Sequence, residues 1–274
     1  MIVAVREGGR VSVIPHNQRR RSGVQSVEVG AALLRALADA DGPRSLGALA
    51  RAAGMSSAKA HRYLVSYVQA GLVVQSERNG TYDLGPLAVR LGLAAMERFD
   101  IVRVAGDRLA FLRDELEETV LLAVWTDAGP TVARIELSRS PVTLAVRVGT
   151  AHPVLTSATG HIFLAFAPEA ISEGQIAAEL SAARSAHVAG TPIDAAGVGR
   201  LREEVRSRGM AAVDQTFLVG VRAIAVPLYH GDGRLAAAVT AVGRPDALDL
   251  SPDGAPAQAL RSFVAACSAS LPSP

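Results

Sequence analysis

The sequence predicts an α+β protein of two domains: a small helical unit closed by a β-hairpin, then an antiparallel sheet with helices. Three observations carry this. The 274 residues exceed the roughly 100 to 200 that one core usually holds. Apolar residues recur every three or four positions between Val27 and Gly71, the period of a helix face. The period then shortens towards two from Thr119 to Val148 and again from Arg222 to Val242, as in half-buried strands. A chain that is 49% hydrophobic and 20% charged has the material for packed cores and is not a disordered one. Aromatics at 4% leave those cores to small aliphatic side chains.

Residues 1–23 show no sustained period, carry the run Arg19-Arg20-Arg21 and read as a flexible basic arm of the kind that can follow phosphates or enter a minor groove. Val29, Ala32, Leu33, Ala36 and Leu37 mark a first helix to about Asp39, broken by Asp41-Gly42-Pro43. Ser45 stands at the N-cap of a second helix, where a hydroxyl can accept a free backbone N–H. Gly54 ends it, since glycine enters the left-handed turn conformation without a Cβ clash. Ser56 caps a third helix with Ala60, Leu64 and Val68 inward and Gly71 as its stop. Two short helices around Ala53-Gly54-Met55-Ser56 have helix-turn-helix spacing. The outward face of the third carries Ser57, Lys59, His61 and Arg62, donors suited to phosphates and base edges; His61 is equally readable as a packed helix histidine. Leu72–Gln75 and Thr81–Leu84 read as strands joined through Asn79-Gly80, a hairpin signal. Such a hairpin after a recognition helix is a wing, with Arg78 at its tip.

Gly85-Pro86 marks the boundary to a linker helix reaching Phe99, and a longer helix spans about Val102–Glu118, with Val104, Leu109, Leu112 and Leu116 inward. Strands are predicted at Thr119–Thr126, Thr131–Leu137 and Val142–Val148, then at Arg222–Tyr229 and Leu235–Val242. Helices are predicted at about Gly160–Ala167, Glu169–Ala183, Asp194–Gly209 and Pro256–Ser270. Charge is unevenly placed. Residues 1–85 hold 11 Arg and Lys against 6 Asp and Glu, a balance of +5, and the remainder 17 against 20, a balance of −3. A segregated basic module suits a polyanion partner. The lone Cys267 excludes an internal disulfide and a zinc site of several thiolates, fits a cytoplasmic location and reads as a core residue. His152, His161 and His187 form no close ligand pair, so no metal is expected. Neither a signal segment nor a run of roughly 18 uncharged apolar residues is present, and no membrane partner is expected. No phosphate-binding glycine fingerprint occurs.

Taken together, Ser45–Ala50, His61-Arg62-Tyr63-Leu64, Ala70–Val73, Tyr82–Gly85, Arg147-Val148-Gly149, Thr156–Gly160, Arg208–Ala211 and Gly220–Leu228 resemble the IclR family of bacterial transcription regulators, over about residues 24–272. The resemblance implies a winged helix-turn-helix over residues 24–85, a linker helix over 86–99 and a GAF-like effector-binding domain over 100–274. It implies double-stranded operator DNA and a small organic effector as partners, a homodimer or homotetramer, most often repression, and no cofactor or catalysis. DNA contacts would come from Arg21, Ser45, Ser57, Lys59, His61, Arg62 and Arg78. Carried over by position, the effector site would be floored by Ser157, Ala158, Thr159, Gly160 and His161, whose N–H groups open a helix and suit a carboxylate. Asp214, Ala223, Thr240 and Val242 would lie opposite. His161 replaces a usual Lys or Arg, Gln215 a usual acidic residue, and Ala223 and Val242 are apolar, which points to an aromatic or aliphatic carboxylate less polar than glyoxylate. Two rival readings stand beside this: a sensor acting through protein partners without DNA, and a hydrolase using Ser157, His161 and Asp214. The Gly-x-Ser-x-Gly elbow that the latter calls for is missing around Ser157.

Overall fold

The computed structural model describes residues 5–7, 10–12, 23–97, 100–139, 146–182, 187–188, 191–192 and 194–269. Arg21, with the rest of the Arg19–Arg21 run, and the centre of the strand expected at Val142–Val148 lie outside them. Two compact units are formed, Asn17–Phe99 and Asp100–Pro274 together with Met1–His16. Within the segment read as a flexible arm, β1 (Val5–Glu7) pairs antiparallel with β2 (Arg10–Ser12). The intervening Gly8-Gly9 was the available hairpin signal.

In the first unit α1 (Gln25–Ala38), α2 (Leu46–Ala52) and α3 (Ser57–Gln69) enclose a core of Leu33, Leu37, Leu49, Ala50, Ala60 and Leu64. Ser45 Oγ accepts the Ala48 N–H at 3.3 Å and Ser56 Oγ the Lys59 N–H at 3.4 Å, so both helices begin on a side-chain cap. Gly30 of α1 is where the Tyr67 hydroxyl and the Tyr63 ring of α3 press on the α1 backbone. Val68, expected inward, is exposed, and Tyr67 packs on the core in its place. The helix period explains this: seven residues after Ala60 fall about 20° short of two full turns, eight overshoot by about 80°.

The wing pairs β3 (Val73–Gln75) with β4 (Tyr82–Leu84). Its loop is longer than the two-residue turn that Asn79-Gly80 signals: Ser76 donates to the Thr81 carbonyl at 2.8 Å, and Gly80, at φ +68°, closes the loop onto the Ser76 carbonyl. Arg44 and Tyr82 exchange backbone hydrogen bonds, which ties the wing to the segment before α2. A Cβ on Gly85 would strike the Gly71 carbonyl oxygen, so the start of α4 (Pro86–Glu97) lies directly against the turn that ends α3.

The second unit is built on one five-stranded antiparallel sheet, in the order β6 (Gly129–Glu136), β5 (Thr119–Thr126), β11 (Leu235–Gly243), β10 (Arg222–Tyr229), β9 (Ala211–Asp214). The edge strand β9 escaped the sequence reading because it is only four residues long and its buried and exposed positions begin with the same side chain, Ala211 and Ala212, so the alternation leaves little trace in the sequence. Val146 and Arg147 are irregular, followed by a turn at Val148-Gly149, so the described end of the strand expected there is not one. Both faces of the central strands are buried: Leu121, Ala123 and Trp125 join the cluster around α6 (Ala158–Phe166), and Val120, Leu122 and Val124 are covered as well. The helices α5 (Asp100–Leu116) and α9 (Ala255–Ser268) pack on the sheet and on each other, with Leu109, Leu112 and Cys267 buried. Between α6 and β9 come α7 (Glu169–Ala182), the short pair β7 (His187–Val188) and β8 (Thr191–Pro192), and α8 (Ala195–Arg208), capped by Asp194 and closed by Gly209 at φ +65°. Among the described residues no helix is long and apolar enough to cross a membrane.

The first turn of α6 approaches the preceding chain so closely that a Cβ on Gly160 would meet the Pro153 carbonyl and the Val154 backbone. Neither neighbour is a flexible side-chain end. Gly160→Ala is therefore expected to cost about 2 to 3 kcal/mol of stability by overpacking. Gly174→Ala, mid-helix in α7 with nothing within 4 Å, is expected to gain about 0.5 to 1 kcal/mol. Urea unfolding of the two variants reads both signs.

Candidate functional site

Two surfaces gather polar side chains. In the first unit Ser57, His61 and Arg62 are exposed on α3 and Lys59 is half-buried, while Ala60 and Leu64 anchor the opposite face. Arg78 is exposed in the wing loop and Ser45 at the start of α2. Among the described residues Lys59, Arg62 and Arg78 have no ion-pair partner, so their charge is available to a polyanion. The sequence reading passed over Arg44 and Arg51, exposed at either end of α2.

In the second unit a cavity lies between the start of α6, the sheet and the loop after β9. Its empty volume is about 390 Å³ when the open mouth is included; about 30 Å³ of that admits the centre of a water molecule. Of the residues expected to hold an effector, Ser157, Ala158, Thr159, Ala223, Thr240 and Val242 line it. Gly160, His161 and Asp214 do not. Gly160 is spent on the contact with Pro153 and Val154. His161 is buried, and its Nε2–H donates to the Leu155 carbonyl at 2.9 Å; burial lowers its pKa, so the ring is held neutral. Asp214 is half-exposed and pairs with Arg222 at 2.9 Å, which holds its carboxyl below the usual range. Ser157 Oγ is engaged twice, donating to the Pro153 carbonyl at 2.6 Å and accepting the Gly160 N–H at 2.9 Å. Serine, histidine and aspartate are thus each committed to a different partner, and the triad reading fails on geometry.

The sequence reading missed the cavity residues Val146, His152, Val213, Phe217, Leu218 and Val221. The loop that brings in Phe217 and Leu218 is shaped by Gln215 at φ +56° and Gly220 at φ +77°; the Gln215 side-chain carbonyl accepts the Gly220 N–H at 3.0 Å. No local pattern announces such a loop. His152 has the most unusual setting. It is only 5% exposed, its Nδ1 lies 3.3 Å from Thr159 Oγ1, and Thr159 Oγ1 lies 3.0 Å from Thr240 Oγ1. Its Nε2 is buried without a hydrogen-bond partner among the described residues, and burial lowers its pKa to about 4. The described lining is otherwise mainly apolar and carries no formal charge at neutral pH. Among the described residues no three His, Cys, Asp or Glu gather as a metal site.

Comparison with known proteins agrees with this architecture. Residues 26–77 match the model of the IclR helix-turn-helix domain, and residues 93–269 that of the bacterial transcriptional regulator IclR C-terminal domain. The glycerol operon regulatory protein of Streptomyces griseus is 29% identical over 249 residues, 90% of this chain and 95% of that protein. The transcriptional repressor IclR of Escherichia coli is 26% identical over 225 residues, 80% of each. The crystal structure of Pseudomonas aeruginosa HmgR is 36% identical and covers 90% of this chain and 98% of its own, with a TM-score of 0.57. A Microbacterium hydrocarbonoxydans IclR homolog, solved with 4-hydroxybenzoate, shares the fold at 22% identity and a TM-score of 0.74, covering 90% of this chain and 98% of its own.

The buried imidazole predicts a pH dependence. His152 has a folded pKa near 4 against about 6.5 when unfolded. Between those values the unfolded chain binds a proton that the folded chain does not, so stability falls as pH drops through this window, by about 3 kcal/mol in all. His161 acts in the same direction. Urea unfolding at pH 7.5, 6.5 and 5.5 should show the decline, with a shallower slope in His152→Leu; a flat profile would place the His152 pKa near its free value.

Proposed function

The chain belongs to the IclR family of bacterial transcriptional regulators, and on that premise we propose that it represses a catabolic or metabolic operon under the control of a small organic acid or aromatic ligand. The observation that carries the effector half is the cavity, predominantly apolar and holding one buried ring nitrogen without a partner among the described residues. Ligand sites have this character, an apolar lining with a few placed polar groups. The lack of a charged lining residue favours a ligand with a substantial carbon skeleton over a very small polar acid. The Microbacterium homolog solved with 4-hydroxybenzoate is a precedent for an aromatic acid on this fold.

The operator half rests on the free cations of α3 and the wing. Residues 24–85 would read DNA, with Lys59, Arg62 and Arg78 on phosphates or base edges and Ser45, Ser57 and His61 as shorter-range donors. Arg21 would extend this footprint from the arm. Residues 86–99 would connect this domain to the effector-binding domain at 100–274. A homodimer, or a homotetramer, would place two recognition helices on a pseudo-palindrome, and such a protein works in the cytoplasm, where its operator is. The effector would act by favouring a conformation with poorer half-site spacing. Linkage then requires operator and effector to weaken each other by the same factor, typically 5- to 150-fold.

The test is fluorescence anisotropy of the full chain on the DNA upstream of its own gene, against a scrambled duplex and across a range of salt. Preferential binding with a steep salt slope is expected, the slope falling by about 1 for each of Lys59→Ala, Arg62→Ala and Arg78→Ala that removes a phosphate contact. Equal, weak binding to both duplexes and to genomic fragments would instead favour a sensor that works through protein partners.

A further inference from the structure

We propose that the effector of this chain carries a hydroxyl group and that His152 Nε2 is the atom that recognises it. This rests on the reading of the cavity as an effector site and adds the chemistry of its polar contact. Buried polar atoms are nearly always hydrogen-bonded, and one left without a partner calls for a reason. His152 lines the cavity, 5% exposed, and its Nδ1 is already committed to Thr159, leaving Nε2 without a partner among the described residues. The other candidate, Ser157 Oγ, is satisfied within the fold by Pro153 and Gly160.

The chemistry of the missing partner follows from the surroundings. Burial keeps the imidazole neutral at pH 7, so it contributes a hydrogen bond and not a charge. A carboxylate set against Nε2 would be buried without a cation among the described lining residues, at a large desolvation cost. A hydroxyl avoids that cost. It also fits either direction of the chain His152–Thr159–Thr240: if the threonine hydroxyls donate towards Nδ1, Nε2 carries the proton and the ligand oxygen accepts, and if the chain runs the other way the ligand hydroxyl donates. The Phe217 ring lies 5.3 Å from the imidazole, centroid to centroid and inclined at 52°, and Val242 adds an apolar wall. An aromatic ring bearing the hydroxyl would rest on these surfaces.

Isothermal titration of the full chain with benzoate, 3-hydroxybenzoate and 4-hydroxybenzoate tests the inference. At least one hydroxybenzoate is expected to bind about tenfold or more tightly than benzoate, the discrimination of one buried hydrogen bond. In His152→Leu that ratio should fall to about one, and His152→Gln, which keeps a hydrogen-bonding amide, should recover part of it. Retained operator binding and an unaltered far-ultraviolet circular dichroism spectrum show that the variants are folded. Equal binding of all three acids by the wild type, as expected if a water molecule satisfies Nε2, overturns the hydroxyl assignment and leaves the effector pocket standing. A preference that survives in His152→Leu overturns the role of His152. Failure of all three acids to bind overturns the aromatic-effector reading and this inference with it.

Discussion

The approach of α6 to the chain that precedes it is the constraint on which the second unit depends. Only a residue without a Cβ fits at Gly160, against the Pro153 carbonyl and the Val154 backbone. Around that contact several polar groups are engaged. Glu179 accepts the N–H groups of Val154 at 2.7 Å and Leu155 at 2.9 Å, and Ser157 caps the helix. At the far end Arg202 and Arg206 of α8 donate to the carbonyls of Leu164 and Ala165, where cations oppose the negative end of the helix dipole. Held at both ends, α6 places Thr159 within reach of Thr240, a residue 81 positions away on β11, and that bridge closes one side of the cavity.

The first unit solves a different problem with similar means. A recognition helix has to be rigid on one side and chemically open on the other. Close packing of the α3 tyrosines on Gly30 and of the Gly71 backbone on Gly85 joins α1, α3 and the wing into a unit whose interior uses Ala60 and Leu64 and whose exterior leaves Lys59 and Arg62 without counter-charges among the described residues. Uncompensated cations add little to folding stability and much to attraction for a phosphate backbone. The +5 balance of residues 1–85 is the compositional trace of that arrangement.

The cavity shows the same trade in reverse. Filling it with a leucine-like side chain in place of His152 would remove a buried nitrogen that has no partner among the described residues, a gain for the free protein of the kind often opposed by function. The nitrogen unsatisfied among the described residues, the neutral imidazole and the uncharged described lining together support reading the cavity as a ligand site. That setting also separates this unit from a catalytic one, because Ser157, His161 and Asp214 are each held by partners that stabilise the fold.

Helix faces, caps and stops were legible because they are local: Ser45, Ser56 and Asp194 sit within three residues of the N–H groups they cap. The four long strands that pair as hairpins, β5 with β6 and β10 with β11, announced themselves by an apolar period over eight or nine residues, and the ordered strings around them pointed to the family. What escaped was short or set by distant packing. The strand β9 and the pair β1–β2 are too brief to show a period, and Val68 was misplaced by a helix phase that four-residue spacing exaggerates. The cavity was read only in part, because position carried over along one segment assumes that neighbours in sequence face the same space. In α6 they do not: successive residues point about 100° apart, so Thr159 meets the cavity while Gly160 and His161 meet the Pro153–Leu155 backbone. The sequence by itself therefore determined the long helices, the long strands and the family. Only the tertiary structure decided which side chains share the cavity and left His152 Nε2 without a partner among the described residues, since burial and hydrogen-bond satisfaction are properties of contacts between residues far apart in the chain.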